Sequence, residues 1–138
     1  MIYTKEIITN YINNCDDRIN IIKNKIDKLK LNIQVKSMIG LTTPYIKELE
    51  KDIDNYNNNI KIINVEKLIY KAFGKKNSII FQKLLHKYDE LINQSIENLK
   101  DMVRYNTGKE SYYLEYCQEM VEQREYIKRL CLYGEKSL

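Results

Sequence analysis

The sequence predicts an all-α protein, built as two long antiparallel helical hairpins that form a four-helix bundle or a coiled-coil-like assembly. Three observations carry that prediction. Large apolar residues recur at alternating intervals of three and four through most of the chain, which places them on one face of a helix; strand alternation does not produce that spacing. Helix breakers are few, one Pro and four Gly, and they fall where the repeat breaks. Apolar residues make 43% of the chain, enough large groups to offset the entropy of ordering that keeps a disordered chain open.

The first helix is marked by Ile8, Ile12, Cys15, Ile19, Ile22, Ile26, Leu29 and Ile33, a seven-residue repeat with a coiled-coil-like seam. Ser37 to Thr43, with Gly40 among them, interrupts it. Thr43 before Pro44 is a helix start, because the hydroxyl can cap open amides and proline at the first helical position loses no bond. Ile46, Leu49, Ile53, Tyr56, Ile60 and Ile63 then carry the second helix, which is expected to run to about Phe73, with a break near Asn57-Asn58-Asn59 as the alternative. Gly74 is the expected C-cap and Ser78 the next N-cap.

The third helix repeats Phe81, Leu85, Tyr88, Ile92, Ser95, Leu99 and Met102, widened by Leu84, Leu91, Ile96 and Val103. A stripe that wide predicts burial against more than one neighbour. After Tyr105-Asn106-Thr107-Gly108, either Thr107 with Glu110 or Ser111 alone can cap the fourth helix. That helix carries Tyr113, Cys117, Met120, Arg124, Ile127 and Cys131, thickened by Leu114, Val121 and Leu130. Short turns make sequential helices antiparallel. The expected organisation is one all-helical domain over 1–138, with hairpin 1 at about 4–73 and hairpin 2 at about 78–133.

Charge beside the seams favours folding back over a parallel homodimer. A parallel pair of first helices would face Arg18 with Lys23 and Lys25 with Lys30 of its copy. Folding back near residue 40 instead sets Lys30 by Glu50 and Lys25 by Asp52, with Glu66 a further acid on the flank. Each exposed pair contributes only about 0.2–1 kcal/mol, so such pairs choose orientation while the buried seam supplies stability.

Composition narrows the function classes. Ile, Lys, Asn and Tyr supply 67 of the 138 residues, a bias of AT-rich coding that accounts for part of the lysine excess. No apolar run approaches the roughly 18 residues of a membrane span, and the first residues lack the pattern of a secretory signal. Cys15, Cys117 and Cys131 form no metal-ligand cluster and leave one thiol over in any disulfide scheme, so a reducing cytoplasm is expected. The single histidine, His86, has Asp89 and Glu90 beside it, but a carboxylate-bridged di-metal bundle needs two Glu-x-x-His elements and acids on every helix. Glycine-rich phosphate loops are absent, as are catalytic pairs. No enzyme, cofactor or metal is expected.

Two binding surfaces remain. The first expectation is a non-enzymatic protein that binds another protein and self-associates as a dimer, using Tyr112, Tyr113, Tyr116, Glu119 and Tyr126 with the acidic ladder Glu115, Glu119, Glu122 and Glu125. The alternative is a nucleic-acid-binding accessory protein, of the size and composition of a phage or mobile-element regulator. Lys67, Lys71, Lys75, Lys76, Lys83 and Lys87 would supply its contacts, in a stretch without an acid. With no arginine there to read guanine edges, such contacts would be to backbone rather than bases.

Overall fold

The computed structural model describes residues 5–40, 43–73, 78–105 and 110–137, with the side chains of 43–45, 78, 102–105, 110, 112 and 131–137 outside that description. The described residues form four helices and no strand: α1 (Lys5–Met38), α2 (Thr43–Ala72), α3 (Ser78–Tyr105) and α4 (Glu110–Ser137). The asparagine triplet does not break α2. Gly40 ends α1 in the left-handed conformation, φ 76°, with its N–H donating to the Ser37 carbonyl and that of Ile39 to the Val35 carbonyl. A Cβ at Gly40 would meet nothing within 4 Å, so the glycine answers a backbone requirement and not a steric one. The expected caps at Gly74 and Thr107 lie outside the described residues, as do the side chains of Thr43, Ser78 and Glu110.

The helices run up and down in sequence order. Arg18 and Lys25 of α1 meet Glu66 and Tyr56 of α2, and Arg124 and Lys128 of α4 reach Asn93 and Asp89 of α3. Packing joins α1 to α2, α2 to α3 and α3 to α4. Among the described residues α1 and α4 do not pack closely against each other as the sequential neighbours do.

The first-helix seam is as predicted, with Cys15, Ile19 and Ile26 buried and Ile8, Ile12, Ile22, Leu29 and Ile33 half-buried. In α2 the repeat from Ile46 to Ile60 is only half-buried. A second line, Asn55, Asn59, Ile62, Glu66, Ile69 and Phe73, is buried throughout. It has the same alternating spacing but contains two amides and an acid, and it lets α2 serve both α1 and α3. In α3, Phe81, Tyr88, Ile92, Ser95 and Leu99 are buried and Leu84, Leu85, Leu91 and Ile96 are packed against the core, the wide stripe expected of a helix between two others. Tyr113, Met120, Ile127 and Leu130 complete the core from α4, whereas Leu114 is 59% exposed and does not thicken that stripe. Rings of Tyr11, Tyr70, Phe73 and Phe81 follow one another at 5.0, 5.7 and 5.6 Å between centroids and tie α1, α2 and α3 at one end.

The hairpin register differs from the expectation by one helical turn. Lys25 lies over the ring of Tyr56, 5.9 Å from its centroid, four residues beyond Asp52. The ion pairs that cross from α1 to α2 are Arg18–Glu66 at 3.0 Å and Asp16–Lys67 at 2.6 Å.

Candidate functional site

Between α1 and α4 the bundle has an open cleft of about 850 Å³. Its walls are Tyr11, Ile21 and Ile22 of α1 and Tyr116, Met120 and Tyr126 of α4. Its floor comes from Ile62, Ile63 and Glu66 of α2 with Tyr88 and Ile92 of α3. Asn10, Asn14, Arg18 and Lys25 line the α1 side, and Glu119 and Gln123 the α4 side. A second hollow of about 390 Å³, lined by Asp52, Asn55, Leu99 and Tyr113, shares Tyr56, Asn59 and Tyr116 with the first.

Glu66 is the centre of the floor, 1% exposed. Burying a carboxylate is unfavourable unless its oxygens are satisfied. Here Arg18 Nη1 donates to both oxygens at 3.1 and 3.0 Å, the Tyr70 hydroxyl to Oε1 at 3.0 Å, and Gln123 Nε2 to Oε1 at 2.8 Å. Three helices therefore converge on one side chain, and Gln123 links α4 to α2 across the bundle. Tyr113 makes a second such link, its hydroxyl 3.5 Å from Asp52 Oδ1.

The buried charge shapes its neighbours. Burial opposes the charge on Arg18, but the Glu66 carboxylate and its hydrogen bond prevail and hold the guanidinium protonated more firmly than usual. Burial and then the nearby Glu66 charge push the Cys15 thiol up to about 12. The same two causes, in the same order, hold the Tyr70 and Tyr88 hydroxyls protonated well above the usual tyrosine range. Tyr88 is fully buried, and its hydroxyl has no hydrogen-bond partner among the described atoms.

The two surfaces expected from sequence are placed differently. Of the tyrosine face, Tyr113 is 2% exposed and belongs to the core, so it offers nothing to a partner. Tyr116, Glu119 and Tyr126 border the cleft, and the Tyr112 side chain lies outside the described residues. Glu115, Glu119, Glu122 and Glu125 are all exposed. In the basic segment, Lys67 is committed to Asp16, Lys71, Lys83 and Lys87 are exposed, and Lys75 and Lys76 lie outside the described residues. His86 is on the surface, its Nε2 2.9 Å from Glu90 Oε1. Among the described residues no group of three or more His, Cys, Asp or Glu is placed to hold a metal ion, and no helix is long and apolar enough to cross a membrane.

Sequence reasoning did not single out one further surface. On the face of α1 opposite its seam, Ile21, Leu31, Val35 and Met38 fall on one heptad line with Asn24 and Lys28. The four apolar residues are 55%, 61%, 48% and 79% exposed, and Ile39 beside them 68%. From Lys28 to Lys47 the chain has four lysines and no acid; from Glu110 to Gln123 it has four glutamates and no base.

No protein-family model, curated protein or solved structure matches this chain.

Proposed function

We propose that the protein acts without catalysis, by helix-to-helix binding of another protein, and that its first partner is a second copy of itself. The observation that carries this reading is the outward stripe of α1. Leu31, Val35 and Met38 are large, exposed and in line, the arrangement by which one helix anchors on another. Lysines surround the stripe, which disfavours packing two such stripes together. The outer face of α4 offers the complement in Glu115 and Glu122, with Leu114 exposed on one side of them and Glu119, at the edge of the cleft, on the other. Two such contacts related by a two-fold axis close a dimer. Glu119 keeps the role given to it in the expected interface, while Tyr113 leaves it for the core. The cytoplasm suits such a protein, since Cys15 and Cys117 are both free thiols.

Sedimentation velocity over a range of protein concentration tests this directly. The wild type is expected to dimerise. Leu31→Glu with Met38→Glu is expected to be monomeric, with an unchanged helical circular-dichroism signal. Lys28→Glu with Lys36→Glu is expected to weaken the dimer, and Glu119→Lys with Glu122→Lys in the same chain to restore it. A wild type that stays monomeric throughout, or a Leu31→Glu, Met38→Glu variant that still dimerises, contradicts the proposal.

A further inference from the structure

Asn59 lacks the partners that its burial calls for. It lies on the most buried line of α2 and is 8% exposed, and its amide makes no hydrogen bond with any described residue. A buried amide is unfavourable unless it is hydrogen-bonded. The unpaired Tyr88 and Ser95 hydroxyls are enclosed, whereas the Asn59 amide is open to the space around it, since Asn59 lines both the α1/α4 cleft and the smaller hollow. Tyr56 and Tyr116 line both spaces with it. Charge gives an ion no foothold here. Arg18, Lys25, Glu66 and Glu119 of the cleft sum to zero. No basic residue lines the smaller hollow, and its one acid, Asp52, has the Tyr113 hydroxyl 3.5 Å away.

We propose that the hollow at Asn59 binds an uncharged planar heterocycle whose edge sets an N–H donor beside an acceptor, the chemistry of a nucleobase, with that edge taken by the Asn59 amide and the ring lying against Tyr56 and Tyr116. An amide carries an acceptor oxygen and a donor NH2 side by side, and it pairs with such an edge through two hydrogen bonds, as asparagine does with adenine. Aromatic side chains supply the flat surface on which a base stacks. At about 390 Å³ the smaller hollow is at the lower end of small-molecule sites, which are mostly apolar with a few converging polar groups. That size suits one ring system and not an oligonucleotide. With no basic residue lining the hollow, a phosphate on the ligand would gain nothing there. None of the residues that hold the ring belongs to the outward stripe of α1, so binding does not depend on dimer formation.

Isothermal titration calorimetry with three such rings, 9-ethyladenine, 1-methyluracil and 2-pyridone, tests the proposal. The controls are the same rings with the donor methylated: 6-dimethylamino-9-ethylpurine, 1,3-dimethyluracil and 1-methyl-2-pyridone. At least one ring is expected to bind, and its methylated form to bind about tenfold or more weaker. The side-chain amide resonances of Asn59 should shift on binding in a nitrogen-edited NMR spectrum. Asn59→Leu, close in shape, should weaken binding about tenfold and leave the thermal midpoint unchanged or higher, since it removes an unpaired amide from a nearly buried position. If that variant does not fold, the methylated pairs on the wild type decide. Failure of all three rings to bind at millimolar concentration overturns the proposal. So does equal affinity for every binder and its methylated form, a set of Asn59 resonances that does not move, or an affinity unaffected by Asn59→Leu.

Discussion

Along α1 the apolar repeat continues unchanged from Ile8 to Ile33, while what surrounds it changes. Between Cys15 and Ile26 the seam meets the part of α2 that is backed by α3, and buried residues lie on both helices. Beyond Ile26, Leu29 and Ile33 of α1 and Ile46, Leu49 and Ile53 of α2 are only half-buried, and the opposite face of α1 exposes Leu31, Val35 and Met38. A pair of helices with good knobs still leaves each of them open on its outer side. Only a third helix makes a core of it. The inner part of hairpin 1 therefore carries stability, and the outer part is left with apolar surface that suits a partner.

Substitutions in the two parts should separate by size. Ile69→Ala, at a fully buried position of α2, is expected to destabilise by about 4 kcal/mol, read as a lower urea midpoint at constant slope. Arg18→Ala should cost about 3 kcal/mol, because it leaves the Glu66 charge buried with only the Tyr70 hydroxyl and the Gln123 amide as donors. A loss under about 1 kcal/mol there would mean that Glu66 gains a proton or water in the variant and that the pair does not organise the floor.

The pH dependence sharpens the same contrast. Cys15 has a folded-state value of about 12 against 9.0 for the free thiol. Above pH 9 the unfolded chain therefore releases a proton that the folded chain keeps, and stability falls as pH rises from 9 toward 12. Its contribution to the slope approaches 1.4 kcal/mol per pH unit, by the order of magnitude for one proton. Cys15→Ala should reduce that slope, most clearly between pH 9 and 10, before the Tyr70 and Tyr88 hydroxyls, also held protonated by the fold, add a loss of the same sign; an unchanged slope there would remove Cys15 from the buried cluster. Smaller still, Lys67→Ala should cost about 0.2–1 kcal/mol, since both members of its ion pair with Asp16 are partly exposed. Val35→Ala, measured on dilute protein, should lie within about 0.5 kcal/mol of the wild type.

The sequence shows the helices clearly because apolar residues keep the three-four spacing along all four seams, with Ser95 in the third and Arg124 in the fourth as the exceptions. It shows the third helix as central for the same reason, through the added line of Leu84, Leu91 and Ile96. It hides the most buried line of α2, because Asn55, Asn59 and Glu66 look like a solvated face, and only the fold brings Arg18 and Gln123 from other helices, and Tyr70 from one turn away, to Glu66. The register error has a related cause. Exposed pairs such as Lys30 with Glu50 are too weak to fix a register, which is set by the buried Cys15, Ile19 and Ile26 against α2. Tyr113 is buried at the head of the α4 stripe, as its spacing predicts, which takes it out of the interface to which it was also assigned, while Leu114 is exposed, because spacing alone does not say which edge of a broad stripe faces the core. The outward stripe of α1 was legible in its spacing, from Ile21 through Leu31 and Val35 to Met38, but one helix with two apolar faces gives no strong single period, and the longer seam dominates it.

Hydrogen exchange along α1, followed as protein concentration is raised, tests the division between the two parts most directly. Amides around Cys15 to Ile26 should exchange slowly at every concentration, with a free energy close to that of global unfolding. Those around Leu31 to Met38 should exchange fast in dilute protein and slow down as the dimer forms. Equal protection of both parts in dilute protein, or an outer part that stays unprotected at high concentration, would contradict the assignment of stability to one and association to the other.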